Sequence, residues 1–342
     1  MCDLQIPVSR RLVVLERFGG PEELRWVEAP MPPRGADEVV VAVEAIGVNF
    51  ADTMVRRGEY RRDQPLTFTP GFEVAGRVLA GPDDGPPLGA RVVAFTEHGG
   101  GYADHVVVSA RQVHEVLDGI EAVDAASLFT QGVTAWYAVH RYGRVAAGER
   151  VLVHAASGGL GGLCVQIAAE AGAEVVAVAS TESKRAHARE HGAAHALAGD
   201  PETLTAAVRE AIGNDGVDVV IDGVGGPLFT PSLRALAFNG RYVVVGSASQ
   251  APATLDVRAL MPRGQTVVGF VVARVAELDP AEPARAFAEV QQRLLDGRLR
   301  QPVTVLPAYD AARAHELVES RALTGKAVLV FDPASPHERR VR

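Results

Sequence analysis

The chain has 342 residues, of which 47% are hydrophobic and 22% charged, with Gly 35 and Pro 21. That is room for about two domains of roughly 150 residues, and it is too apolar for a disordered chain and has no collagen-like period. A formal net charge of −8, from 34 Lys+Arg against 42 Asp+Glu, argues against a nucleic-acid-binding surface.

Two cysteines, Cys2 and Cys164, exclude a disulfide framework and a four-thiolate zinc lobe. The first residues lack the apolar stretch of a signal peptide, and no apolar run approaches the ~18 residues of a membrane span. A cytoplasmic protein without membrane segments is expected. In chain order, residues 10–130 read as β-rich. The strings EVVVAVEAIGVN from Glu38, GRVLA from Gly76, GARVVAF from Gly89 and YADHVVV from Tyr102 are short, β-branched and separated by Gly/Pro turns such as 81–89. They predict a barrel-like all-β unit.

The period then changes to alternation of strands and helices. Strands are predicted at 151–156, 175–180, 218–222, 241–246 and 266–273, and helices at 163–171, 183–191, 202–212 and 227–237. This pattern predicts a doubly wound parallel sheet. A helix at 283–297, a helix at 312–320 and a strand at 326–331 follow, and 333–342 reads as a solvated tail.

The turn between the first two strands of the alternating region is Ala155-Ala156-Ser157-Gly158-Gly159-Leu160-Gly161-Gly162. Its A-x-x-G-x-x-G spacing is looser than the full dinucleotide fingerprint, but it follows a strand and opens a helix, where unpaired N–H groups and the dipole favour a pyrophosphate. Ala156, Ser157, Gly158, Gly159, Leu160 and Gly161 are therefore candidate cofactor contacts. At the end of the second strand an acidic residue would bind an NAD ribose, yet this one ends Ala179-Ser180-Thr181. Ser180 can hydrogen-bond a 2′-phosphate and Lys184 can neutralise it, so NADPH is expected, with Glu182 working against it.

Six ordered motifs then carry a resemblance: GVNFADTMVRRGEY (47–60), PGFEVAG (70–76), FTQGVTAWYAV (129–139), VHAASGGLGG (153–162), IDGVGG (221–226) and ESRALTGKAVL (319–329). Over residues of about 11 to 332 the chain resembles the zinc-independent quinone oxidoreductases of the medium-chain dehydrogenase/reductase superfamily, which also holds zeta-crystallin and polyketide enoyl reductase domains. The resemblance implies an α/β fold with a GroES-like β-barrel catalytic domain (1–133 and 270–342) around a Rossmann domain (134–269). It implies a homodimer through edge strands such as TVVGFVV. It also places Asn49, Tyr60 and Thr134 at the nicotinamide or substrate and Gly246, Ser247, Phe270 and Arg321 at the cofactor. Asp52 is expected to cap the helix begun by GVNFAD.

Zinc-dependent relatives carry Cys where this chain has Asn49, and Gly-His-Glu where it has Gly71-Phe72-Glu73. No metal is expected. Three departures from the family pattern stand out: Met54 replaces a tyrosine, Gly199 lies where a tyrosine flanks the 2′-phosphate, and Gly223 follows Asp222 in place of serine. The implied chemistry is hydride transfer to a quinone or other α,β-unsaturated carbonyl acceptor, with a pathway-specific enoyl or enone reductase and a non-catalytic NADPH-binding protein as alternatives. A serine hydrolase would need a G-x-S-x-G elbow, which the sequence lacks.

Overall fold

A computed structural model describes residues 5–60, 66–279 and 281–331; Cys2 and the expected tail at 333–342 lie outside the described residues. The first part of the chain contains β1 (Ser9–Val14), β2 (Arg25–Pro30), β3 (Glu38–Val48), α1 (Phe50–Arg56), β4 (Glu73–Ala80), β5 (Arg91–Phe95), β6 (His105–Ser109), β7 (Val113–Glu115) and α2 (Ala122–Trp136). The middle contains β8 (Arg150–Val153), α3 (Gly159–Glu170), β9 (Glu174–Val178), α4 (Glu182–Glu190), β10 (His195–Leu197), α5 (Leu204–Ile212), β11 (Val217–Asp222), α6 (Phe229–Ala235), β12 (Leu236–Val244) and β13 (Thr266–Gly269). Then come α7 (Val272–Leu278), α8 (Ala281–Leu295), β14 (Val303–Pro307), α9 (Ala311–Glu319) and β15 (Lys326–Val330).

The chain divides into two compact units, residues 1–130 with 302–342, and residues 131–301. In the first, a seven-stranded sheet runs β14-β15-β3-β4-β5-β7, with β6 also paired to β3, beside a β1-β2 ribbon. The barrel-like unit expected from the sequence is thus a mostly antiparallel sheet assembled from both ends of the chain, with β15 antiparallel to β3. Its core is β-branched: Val39, Val41, Val74, Val78 and Val92 are buried with Leu12, Leu15, Ile46 and Leu329. Alternation along each strand buries one face, and sheet packing rather than intrinsic preference holds these residues in place.

The second unit holds a six-stranded, all-parallel sheet in the order β10-β9-β8-β11-β12-β13. Chain direction reverses its progress across the sheet between β8 and β11, the place where doubly wound sheets bind ligands beyond the strand carboxyl ends. Val151, Leu152, Val153, Val175, Val176, Val219 and Val220 have no exposure, as fully covered parallel strands require.

Four sequence expectations change. The helix expected at 163–171 begins at Gly159, because the glycines are helical rather than a separate turn. The strand expected at 266–273 stops at Gly269, and Val272–Leu278 is helical in spite of its valines. Residues 122–142, given no element by the pattern, form α2 and a following π-helical turn. Residues 270–301, expected with the first unit, pack with the parallel sheet: Gln166 Nε2 donates to the Arg300 carbonyl at 2.9 Å, Gln166 Oε1 accepts from the Arg300 N–H at 2.8 Å, and Arg293 pairs with Glu170 at 2.8 Å. Among the described residues no helix is long and apolar enough to cross a membrane.

Candidate active site

The nucleotide turn is built from the backbone upward. Ala155 adopts φ 50, exposed between β8 and the turn, and its carbonyl accepts from Gly158 N–H at 2.9 Å. Ala156 is buried and its N–H donates to Val178 O at 3.1 Å, so this residue ties the turn to β9 instead of offering its amide to a ligand. Ser157 is buried beside it. Gly158 caps α3 in an extended conformation, which leaves Gly159, Leu160 and Gly161 as the first helical turn, whose N–H groups have no intrahelical acceptor. A Cβ on Gly161 would stand 2.3 Å from Ala155 O and 2.8 Å from His154 O, so only glycine lets the helix approach the strand this closely.

Beyond β9, Ser180 is exposed and Thr181 caps α4, its Oγ1 accepting from Lys184 N–H at 3.3 Å. Glu182 is held by Arg189 at 3.0 Å and Arg185 at 3.0 Å, and these bonds keep its carboxyl below the usual range. The acid that worked against a 2′-phosphate is therefore already neutralised. On the other side of the chain reversal, Asp222 ends β11, fully buried, and accepts from Val224 N–H at 2.7 Å, Gly225 N–H at 2.9 Å and Tyr242 OH at 2.6 Å. That pin shapes the glycine loop without a neighbouring serine. Gly246 and Ser247 are exposed just past β12. Thr134 lies half-buried on α2, and Phe270 stacks on Tyr142 with centroids 4.3 Å apart.

In the first unit Asn49 caps α1, as the extended φ −105 and ψ 153 of its backbone allow. Asp52, expected to cap this helix, does so from its first turn: its side chain accepts from Asn49 N–H at 2.7 Å, the reciprocal half of a capping box. The Asn49 side chain is buried and engaged at both ends: Nδ2 donates to Glu73 Oε2 at 2.9 Å, and Oδ1 accepts from Lys326 Nζ at 3.0 Å. Lys326 Nζ also donates to Glu73 Oε2 at 2.7 Å, with both side chains wholly inaccessible. Lys326 and Glu73 were given no role from sequence; the N-x-x-D spacing of Asn49 and Asp52 is a capping signal, but nothing local to β15 points Lys326 at Glu73.

Burial pushes the Asp52 carboxyl up to about 7, against the pull of the Asn49 N–H and the Lys326 ammonium. Between the ordinary 3.8 and about 7 the folded chain keeps a proton that the unfolded chain has released, so this group's contribution to stability falls as pH rises through that window and is level above it. Asp52→Asn, which keeps an acceptor for the cap, should remove that slope. The variant's melting temperature relative to the parent should climb from pH 5 to about 7 and then plateau; a difference that does not change with pH would refute the assignment.

Tyr60 is 41% exposed with its ring 5.4 Å from Phe72, and Arg321, at φ 55, is exposed in the same unit. Asn49, Phe72, Glu73 and Lys326 do not suit zinc: they include neither thiolate nor imidazole, Phe72 is apolar, and an ammonium already satisfies the carboxylate.

Residues 159–289 match the zinc-binding dehydrogenase family and residues 35–118 the alcohol dehydrogenase GroES-like domain. These two families together describe a dehydrogenase/reductase with a GroES-like part and a Rossmann part. The quinone oxidoreductase of Sus scrofa is 30% identical over 322 residues, 92% of this chain and 96% of that protein. A mycobacterial protein solved in complex with NADPH matches with a TM-score of 0.88 at 32% identity, covering 94% of this chain and 99% of that one. The Escherichia coli quinone oxidoreductase complexed with NADPH matches at 0.87 and 28% identity, again over 94% and 99%. The chain belongs to the zinc-independent quinone oxidoreductase branch of the medium-chain dehydrogenase/reductase superfamily.

Proposed function

We propose that the chain is an NADPH-dependent, zinc-independent reductase of quinones or other α,β-unsaturated carbonyl compounds. The observation that carries this reading is the nucleotide turn, a glycine-opened helix at the reversal point of a 3-2-1-4-5-6 sheet followed by a strand end without a free acid. NADPH, when bound, supplies the hydride. The first-turn N–H groups of Gly159, Leu160 and Gly161 hold its pyrophosphate, and Ser180 and Lys184 hold its 2′-phosphate. Thr134, Gly246, Ser247 and Phe270 complete the cofactor contacts. Reduction of such an acceptor would place negative charge on its oxygen, which must meet a hydrogen-bond donor. Tyr60, a partly exposed tyrosine, fits that role; Asn49, with its amide engaged by Glu73 and Lys326, caps α1 instead. A cytoplasmic homodimer joined through the exposed edge of β13 belongs to the same reading.

The test is NADPH oxidation, with NADH alongside, against ortho- and para-quinones and simple enones. Quinone turnover with NADPH preference is the expected result; turnover of enones alone would assign the pathway-specific reductase, and cofactor binding without oxidation of any acceptor would refute catalysis. Lys184→Ala should weaken NADPH binding by roughly 10- to 150-fold, the loss of one charge-assisted bond, while leaving NADH binding unchanged. Equal losses for both cofactors would remove the 2′-phosphate role.

A further inference from the structure

Helix α4 carries a set of metal-capable side chains that hydride transfer does not use. His187, Glu190 and His191 stand at i, i+3 and i+4, a spacing that brings them to one face of a helix. One ligand atom from each lies within 4.8 Å of the other two, and the two imidazole centroids are 4.0 Å apart. Both histidines are half-buried and Glu190 is exposed, so an ion can reach them and water can fill a remaining position.

The hydrogen bonding selects the ligating tautomer. His191 Nδ1 lies 2.8 Å from the His187 carbonyl oxygen. A carbonyl only accepts, so Nδ1 carries the proton and Nε2 keeps its lone pair, and the same bond fixes the ring as the outer partner of a metal-bound histidine does. Gly192, at φ 106, donates its N–H to Arg189 O at 3.2 Å and ends the helix, which holds the last turn and its side chains in place.

We propose that His187, Glu190 and His191 form a binding site for a first-row divalent transition ion such as Zn²⁺, with water as the remaining ligand. Two imidazoles and a carboxylate are a recognised zinc donor set, and three protein ligands leave one tetrahedral position open. A cation on the last turn of α4 also complements the negative end of the helix dipole. The site stands on observations separate from those for reductase activity. Asn49, Phe72, Glu73 and Lys326 do not suit zinc, and among the described residues the metal-capable cluster is the one on α4.

The experiment uses the full chain, freed of metal by chelation and dialysis, and titrated calorimetrically with Zn²⁺; Co²⁺ serves as an absorption probe of coordination geometry. One ion per chain is expected, with cobalt bands of tetrahedral character. His187→Ala and His191→Ala should each weaken binding by about 10- to 100-fold or more, while His195→Ala should not. All three positions are partly exposed, and unchanged thermal unfolding without metal would show that the variants are folded. Absence of Zn²⁺ binding, or binding that survives either histidine substitution, would overturn the site whatever the outcome of the reductase assay.

Discussion

Lys326→Met is expected to lower the unfolding free energy by about 3–5 kcal/mol, the cost of leaving a buried carboxylate without its cation. Glu73 and Lys326 are both wholly inaccessible and 2.7 Å apart, and Asn49 is hydrogen-bonded to each. Methionine nearly preserves the length of the lysine side chain, so the loss is electrostatic rather than a cavity. Glu73 would then keep the Asn49 amide and, at 3.4 Å, the Thr130 N–H as its donors. A second substitution separates pair from packing. In Lys326→Met combined with Glu73→Gln neither member of the pair carries a charge, the introduced amide oxygen can still accept from Asn49, and most of the lost stability should return. Denaturant unfolding of the parent, both single variants and the double variant closes the cycle. Single losses that simply add in the double variant would mean that the two groups do not act as a pair.

Gly161→Val is expected to abolish measurable NADPH binding and destabilise the second unit, whereas Gly162→Ala, one residue on, should be neutral or stabilising. The contrast comes from what a Cβ meets at each position. At Gly161 it would collide with the backbone oxygens of Ala155 and His154, at 2.3 and 2.8 Å, which cannot rotate away; at Gly162 the nearest atom is Ala156 O at 3.6 Å, an ordinary contact. A side chain at position 161 must push α3 from β8 and carry its first-turn N–H groups out of position, at an overpacking cost of about 1–3 kcal/mol or more. Alanine at 162 removes backbone freedom from the unfolded chain and should add about 0.4–1 kcal/mol. Cofactor titration by fluorescence together with urea unfolding reads both effects. Gly161→Val with intact NADPH affinity would show that the close approach is not what positions the turn.

The parallel-sheet half was readable because its signals are local. Fully buried runs such as 175–178, separated by glycine turns and helical spacing, leave little choice, and the absence of an acid at Ser180 is visible in a single line of sequence. Short or half-exposed strands were not readable: β10 has three residues, and β14 lies between prolines with only partial burial. The run 266–273 misled because its β-branched residues read as one strand to the end, whereas from Val272 the chain passes into VARVAEL, where Ala273, Arg274, Ala276, Glu277 and Leu278 favour a helix. The polar cluster of the first unit was half legible. Asn49 and Glu73 stand in motifs 24 residues apart, but their cation comes from β15, and no periodicity links positions that distant.

The pairing of β3 with β15 also sets a timetable for a nascent chain. Lys326 follows Glu73 by 253 residues, so at about 5–20 residues per second the ribosome delivers the cation roughly 13 to 50 s after the carboxylate. During that interval β3 has no β15 beside it and Glu73 has no ammonium to neutralise it. A hydrophobic strand edge is then open to wrong partners, and a charge destined for the interior must remain in water. The parallel-sheet unit, complete by residue 301, can close first. The first unit therefore finishes last, once β15 arrives to cover the open edge of β3.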